Sequence, residues 1–260
     1  MADTELGNAR FEIGTVISRA FDAIGSNLFL FFGLSLVLTG LPQFVLQYWQ
    51  FSQFGMNADL GTGAYAFRGD FWIAIGVAVL VGWVTNAILQ AALTRATVMH
   101  LSGEPPEFGP CLSIGFRLIL PLIVIGFLAA IGLTVGFILL IVPGIVLWTV
   151  WAVITPAYVQ EKIGIFEAFG RSATLTSGSR WRILAVGVIV ILMLWVIGIP
   201  FSFLTVMLRQ FGSPVLLALL TTVLAALRSM VVVTMIASAY VELRQLKDGV
   251  APNELEAIFA

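Results

Sequence analysis

The stretch RLILPLIVIGFLAAIGLTVGFILLIVPGIVLWTVWAVITPAYVQE, residues 117–161, runs from Arg117 to Glu161 with no charged side chain over 43 residues. As α-helix those residues extend about 65 Å at ~1.5 Å each. That is twice the ~30 Å hydrocarbon core of a bilayer. Val142-Pro143-Gly144 lies near the middle, and Pro-Gly is a turn signal. The stretch therefore reads as two spans joined by a tight turn. Ile141 and Ile145 flank that turn with nothing polar, which places it within a leaflet or against protein.

Outward from this hairpin the pattern repeats. Apolar stretches at residues 28–49, 71–99, 116–142, 145–159, 181–208 and 214–241 are each long enough to read as a spanning helix, with backbone groups satisfied inside the helix. Hydrophobic residues make up 60% of the 260-residue chain and charged ones 10%, against a soluble norm near ~25% charged. The expectation is an all-α polytopic membrane bundle forming a single domain over 1–260, with six transmembrane helices and two amphipathic interfacial helices. No room is left for a separate soluble enzyme domain. The net charge of −1 argues against a nucleic-acid partner. A single cysteine, Cys111, excludes an internal disulfide and a thiolate metal cluster. The first 27 residues include Glu5, Glu12 and Asp22, unlike the basic run and short apolar core of a cleavable signal peptide.

Charge predicts orientation. If the helices alternate, Arg10, Arg19, Arg95, Arg117, Lys162, Arg171, Arg180, Arg182, Arg244 and Lys247 all fall on one side, against Arg68 and Arg209 on the other. Positive charge in short loops marks the cytoplasmic face, so both termini are expected there. Tyr48, Trp49 and Trp72 then belong to the outer aromatic belt, and Tyr158, Trp181 and Tyr240 to the inner one.

Two segments read as lying on the membrane. In residues 10–26, Ile13, Val16, Ile17, Ala20, Phe21 and Ile24 share a helical face, with Glu12, Thr15, Arg19 and Asp22 opposite. In residues 163–178, Ile165, Phe166, Phe169 and Ala173 do the same, with Glu167 and Arg171 spaced as an i,i+4 pair. Each ends in Gly-Ser, at Gly25-Ser26 and Gly178-Ser179, where glycine can end the helix. The first segment with spans one and two parallels the second segment with spans five and six, a weak pseudo-repeat around the central hairpin. Residues 244–260 read as a cytoplasmic tail. In the hairpin, Gly132-x-x-x-Gly136 suits close helix contact, within the chain before between chains.

Chemistry is sparse. Arg228 is the one ionisable residue deep in a span. Such a charge costs ~2.5–3.5 kcal/mol on insertion scales and usually faces the bundle interior. Its candidate partners are Thr85, Asn86 and Gln90 on span two, Thr205 on span five and carbonyls near Pro200. Three readings stay open: a buried hydrogen-bond hub, an anion or lipid-phosphate site using Arg228, Asn86 and Gln90, and a meeting point for a partner subunit's carboxylate. His100 lies near Glu104 and Glu107, too few ligands for a closed metal site. No nucleophile elbow or phosphate loop is present. Phe51, Phe54, Tyr65 and Phe67 mark an outer capping loop. Pro42, Pro121, Pro156 and Pro200 mark kinks without a matched polar cluster. The expectation is therefore no catalytic residue, no cofactor and no metal. The expected partners are the lipid bilayer, a membrane-protein partner or second copy, and an anionic lipid.

The segment WTVWAVITPAYVQEKIGIFEAFGRSATLTSGSRWRI, residues 148–183, runs aromatic, proline, Val-x-Glu, Glu-Ala, Arg-Ser, Leu-Thr-x-Gly and Trp-Arg. With Pro143-Gly144 before it and Tyr240, Glu242, Leu243, Arg244 and Gly249 after it, it resembles the bacterial YciC-like integral membrane family. It is also similar to the membrane domain preceding some glycerophosphodiester phosphodiesterases. The resemblance implies a six-helix inner-membrane protein of unassigned molecular function. The hydrolysis of the fused enzymes belongs to a separate barrel with paired histidines, whereas this chain has one. Two functions follow as expectations: a non-enzymatic scaffold or accessory subunit of a membrane complex or of envelope maintenance, and alternatively a carrier or flippase for an anionic small molecule or lipid built on Arg228.

Overall fold

The computed structural model describes residues 11–54, 69–210 and 213–249. Tyr65, Phe67, Arg10, Arg68 and the tail from residue 250 lie outside the described residues. In chain order the helices are α1 (Ile13–Ser26), α2 (Leu28–Ser35), a π-helical turn (Leu36–Gly40), α3 (Leu41–Phe54), α4 (Gly69–Leu101), α5 (Phe108–Arg117) and α6 (Ile119–Leu139). After them come α7 (Ile141–Val150), α8 (Ile154–Glu161), α9 (Ile165–Thr176), α10 (Arg180–Gln210) and α11 (Pro214–Asp248). The described residues contain no strand.

Six segments are long and apolar enough to cross a membrane: Leu28–Phe51, Trp72–Leu101, Ile119–Leu139, Ile141–Glu161, Arg180–Gln210 and Pro214–Asp248. The all-α membrane bundle is thus the fold. Helix α11 is its axis, packing against α1, α3, α4 and α10. One core joins Phe31, Leu34, Leu89, Leu93 and Met235. A second joins Val16, Val153, Leu175, Tyr240 and Leu243. A third gathers Ala87, Ala91, Leu122, Ile125 and Ala168 between α4, α6, α8 and α9. Lipid tails are as apolar as leucine, so close packing over small residues has to hold spans together. The hairpin does this: Gly132 is covered by the Trp151 ring, and Gly136 faces Leu147 and the Gly144 backbone.

The structure revises several boundaries. The hairpin does not turn at Val142-Pro143-Gly144. The break is at Leu140, which is extended (φ −166°, ψ 150°), and Ile141 already opens α7. Proline suits the first turn of a helix, where its missing N–H would be unpaired anyway, so Pro143-Gly144 starts α7 instead of reversing the chain. The span also bends at Trp151–Val153, where α7 gives way to α8. The loop expected between His100 and Phe116 holds helix α5, whose Gly115 presses on the Ile88 side chain and carbonyl. Helix α11 continues past Val241 to Asp248, so the segment expected to begin a tail at residue 244 is still helix. Helix α9 ends at Thr176 with Ser177 at its cap, and Gly178 turns the chain just beyond with φ +78°, whereas at the other segment Asn27, not Gly25, marks the break before α2. In α9 the face against the bundle is Ala168, Ser172, Leu175 and Thr176, and Phe166 points outward, 79% exposed. The expected Glu167–Arg171 pair is absent: Glu167 accepts from the Gly164 N–H at 2.9 Å, while Arg171 reaches elsewhere.

Candidate functional site

Two features stand out: a charged network at one end of the bundle, and Arg228 in a groove along it.

The network is built on the last turns of α11. Tyr240, Glu242, Arg244, Gln245 and Asp248 lie within nine residues there and meet α1, α8 and α9. Arg171 of α9 donates to Glu161 at 2.7 Å and also pairs with Asp248. Tyr240 donates to the other Glu161 oxygen at 2.9 Å, and Arg244 donates to the Tyr240 hydroxyl at 3.3 Å. Arg244 Nε lies 3.5 Å from Asp248 and 3.9 Å from Glu161. From α1, Arg19 donates to Glu242 at 2.7 Å and to Gln245 at 2.9 Å. Burial disfavours the Arg171 charge, but its hydrogen bonds to Asp248 and Glu161 outweigh this and raise its pKa above the ordinary arginine value.

The same end carries further ties. His100 takes a bond from Asn27 at Nδ1 (3.0 Å) and meets Asp22 at Nε2 (3.1 Å), an arrangement that a ring protonated at Nε2 satisfies at both nitrogens. Arg182 donates to the Phe11 carbonyl at 3.1 Å. Helix α5 buries Cys111, and that burial pushes its thiol up to about 11. No group of three or more metal-ligating side chains occurs among the described residues. Chemically this end is a clamp, with carboxylates and guanidinium groups spent on one another.

Arg228 departs from expectation. It does not face the interior as a hub: it is exposed, on the side of α11 that meets α10. Its cavity, of about 450 Å³, is lined by Ile191, Leu194, Trp195, Gly198, Ile199 and Ser202. A Cβ built on Gly198 would lie 2.5 Å from an Arg228 guanidinium nitrogen, so this glycine makes the room the side chain uses. No described carboxylate lines the cavity. Thr205 donates to the Ser202 carbonyl instead of engaging the arginine.

Asn86 and Gln90 are elsewhere. They lie one turn apart on α4, and Gln90 donates to Asn86. With Trp83, Gly126, Trp151 and Thr155 they line a separate cavity of about 420 Å³ between α4, α6 and the α7–α8 span. The two cavities share no lining residue. The three side chains expected to form one anion site are therefore divided: the two amides, joined by one hydrogen bond, lie on α4, and Arg228 leans onto α10. Thr85 donates to the Val81 carbonyl of its own helix.

Comparison with family models, with curated proteins and with solved structures finds no match.

Proposed function

We propose that the chain is a non-enzymatic scaffold or accessory subunit of a bacterial inner membrane, a YciC-like protein with both termini in the cytoplasm, serving a membrane complex or envelope maintenance. The observation that carries this reading is the clamp. Arg19, Arg171, Arg244, Glu161, Glu242 and Asp248 hold α1, α8 and α9 onto the end of α11. A scaffold needs such a fixed plate, whereas a binding site would leave some of those groups available to a ligand. The experiment is native mass spectrometry of protein gently extracted from its own membranes. A stoichiometric protein partner supports the reading. Complete monomer with a bound metabolite and no protein overturns it.

A second reading is favoured by one observation, the exposed Arg228 in its open groove: a carrier or flippase for an anionic small molecule or lipid. Its test is movement of a fluorescent anionic lipid between leaflets of reconstituted vesicles. Movement lost in Arg228→Leu supports it, and no movement with wild-type protein removes it.

A further inference from the structure

We infer that the α10–α11 groove is a binding site for one anionic phospholipid, with the phosphate at Arg228 and one acyl chain in the trench beneath it. This uses the residue on which the second reading rests but requires no transport.

The head end is a charge in want of an opposite. A cation at this depth carries ~2.5–3.5 kcal/mol of insertion cost unless paired, and among the described residues no acidic side chain lines its cavity. Gly198 leaves the space in which the guanidinium lies, and the Ser202 hydroxyl borders the same cavity. A guanidinium fork with a neighbouring hydroxyl suits phosphate oxygens.

The tail end is a second cavity of about 210 Å³, and the two cavities share Ile191 and Leu194. It continues past Val190, Gly187 and Val186 to Ile183, with Met235 and Ala239 across from them, and its lining side chains are all apolar. Trp148 packs against Gly187 where a Cβ would otherwise be, flooring the trench. From Gly198 to Ile183 the groove follows α10 for about 22 Å at ~1.5 Å per residue. That is longer than one leaflet, half of ~30 Å, so a single extended acyl chain lying along the groove crosses the midplane.

Depth sets what the lipid must do: its headgroup has to be drawn into the hydrocarbon by local thinning of the bilayer around the arginine. Gly198 lies about 18 Å from the Gln210 end of α10, and the helix as a whole is about 46 Å long at ~1.5 Å per residue. With the excess over a ~30 Å core shared between its ends, the guanidinium sits about 10 Å below the hydrocarbon boundary. The phosphate would point toward the end of the bundle opposite the clamp, with the tail running toward the clamp.

The test is native mass spectrometry of the full chain released from nanodiscs containing equal phosphatidylglycerol and phosphatidylcholine. Wild type is expected to retain one phosphatidylglycerol at least tenfold more often than phosphatidylcholine. Arg228→Gln should abolish the preference, and Arg228→Lys should keep part of it. Ile191→Trp, at a half-exposed residue shared by both cavities, should lose the lipid with Arg228 intact. Equal retention by wild type and Arg228→Gln overturns the site. So does retention unchanged in Ile191→Trp, or a wild-type protein whose groove is shielded by a carboxylate-bearing partner helix instead. Stabilisation by inorganic phosphate alone, equal to that by phosphatidylglycerol, overturns the tail. Binding without leaflet exchange sinks the carrier reading and leaves this one standing.

Discussion

Replacing Glu161 by alanine removes the carboxylate on which the clamp turns, and the structure sets the size of the loss. Glu161 accepts from Arg171 at 2.7 Å and from Tyr240 at 2.9 Å, and its side chain is 12% exposed. Breaking one partner out of a buried pair costs about 3–5 kcal/mol when the other is left alone. Here Arg171 keeps Asp248, so the expected loss is smaller, about 2–3 kcal/mol. For a chain of this size ~1 kcal/mol moves Tm by ~2–4 °C, giving a fall of about 5–10 °C. The assay is thermal unfolding in mild detergent, followed by the loss of the monodisperse peak on size exclusion at a fixed heating rate. Glu161→Gln, which keeps an acceptor for Tyr240 but drops the charge, should fall by about half as much. A double-mutant cycle with Arg171→Gln should show coupling of about 1 kcal/mol or more. If Glu161→Ala melts within 2 °C of wild type, the charges at this end are a solvated rim and the clamp argument fails.

Other expectations follow from the same geometry. Arg228→Leu should leave Tm unchanged or raise it, since no described partner is lost and the insertion cost of about 3 kcal/mol disappears; a large fall in Tm would mean the arginine holds the bundle. Gly132→Leu should destabilise the hairpin by about 1–3 kcal/mol, because the Trp151 ring already fills the place of its Cβ, whereas Gly126→Leu, with nothing near its Cβ, should not. Cys111 should resist maleimide at neutral pH in the folded protein and react once unfolded. Its thiol pKa is raised from 9.0 to about 11, so the folded state holds the proton more tightly. The associated stability is full below pH 9 and fades as pH rises toward 11, by about 2–3 kcal/mol at ~1.4 kcal/mol per pH unit. A Cys111→Ala variant should lose that part of the alkaline dependence.

What the sequence shows well is what lipid imposes. Six spans were legible because satisfying the backbone in hydrocarbon requires long apolar runs, and the run between Arg117 and Glu161 can hardly be read another way. Boundaries were less legible, because they depend on local geometry that composition does not record. Pro143-Gly144 serves the start of a helix as well as a turn, and only the extended backbone at Leu140 decides between them. Residues 108–115 read as loop beside Pro105-Pro106, yet Gly115 docks on α4 tightly enough to hold a helix there. The clamp was hidden for a different reason. Glu161, Arg171 and Tyr240 are far apart in the chain, and local spacing offered Arg171 a nearer partner in Glu167. Their appearance together in the family-like pattern was the only signal, and it carried no pairing. Arg228 stands out in the sequence, but the first turns of α11 are too uniformly apolar for helical periodicity to say which side faces lipid.

The division of charge is the deepest constraint on function. At one end of the bundle, cations and carboxylates neutralise each other and tie the first and second amphipathic helices to the last span. Along α10 and α11, one cation has no described counterpart and a trench leads away from it. A device that moves a ligand across the membrane by rocking α11 against α1, α8 and α9 would have to break Arg19–Glu242 and Arg171–Asp248 in every cycle. At about 1.5–3 kcal/mol for each hydrogen bond to a charged group, several such bonds set a barrier that ligand binding at one arginine does not readily repay. The α10 side carries a single tie at that end, from Arg182 to the Phe11 carbonyl. Pro200 already interrupts its hydrogen bonding near Gly198, so what mobility the groove needs can come from α10 alone. A plate held rigid at one end and a lipid-sized groove beside one free charge make a coherent pair: the first keeps the bundle in one shape, and the second lets that shape hold an anion from the membrane around it.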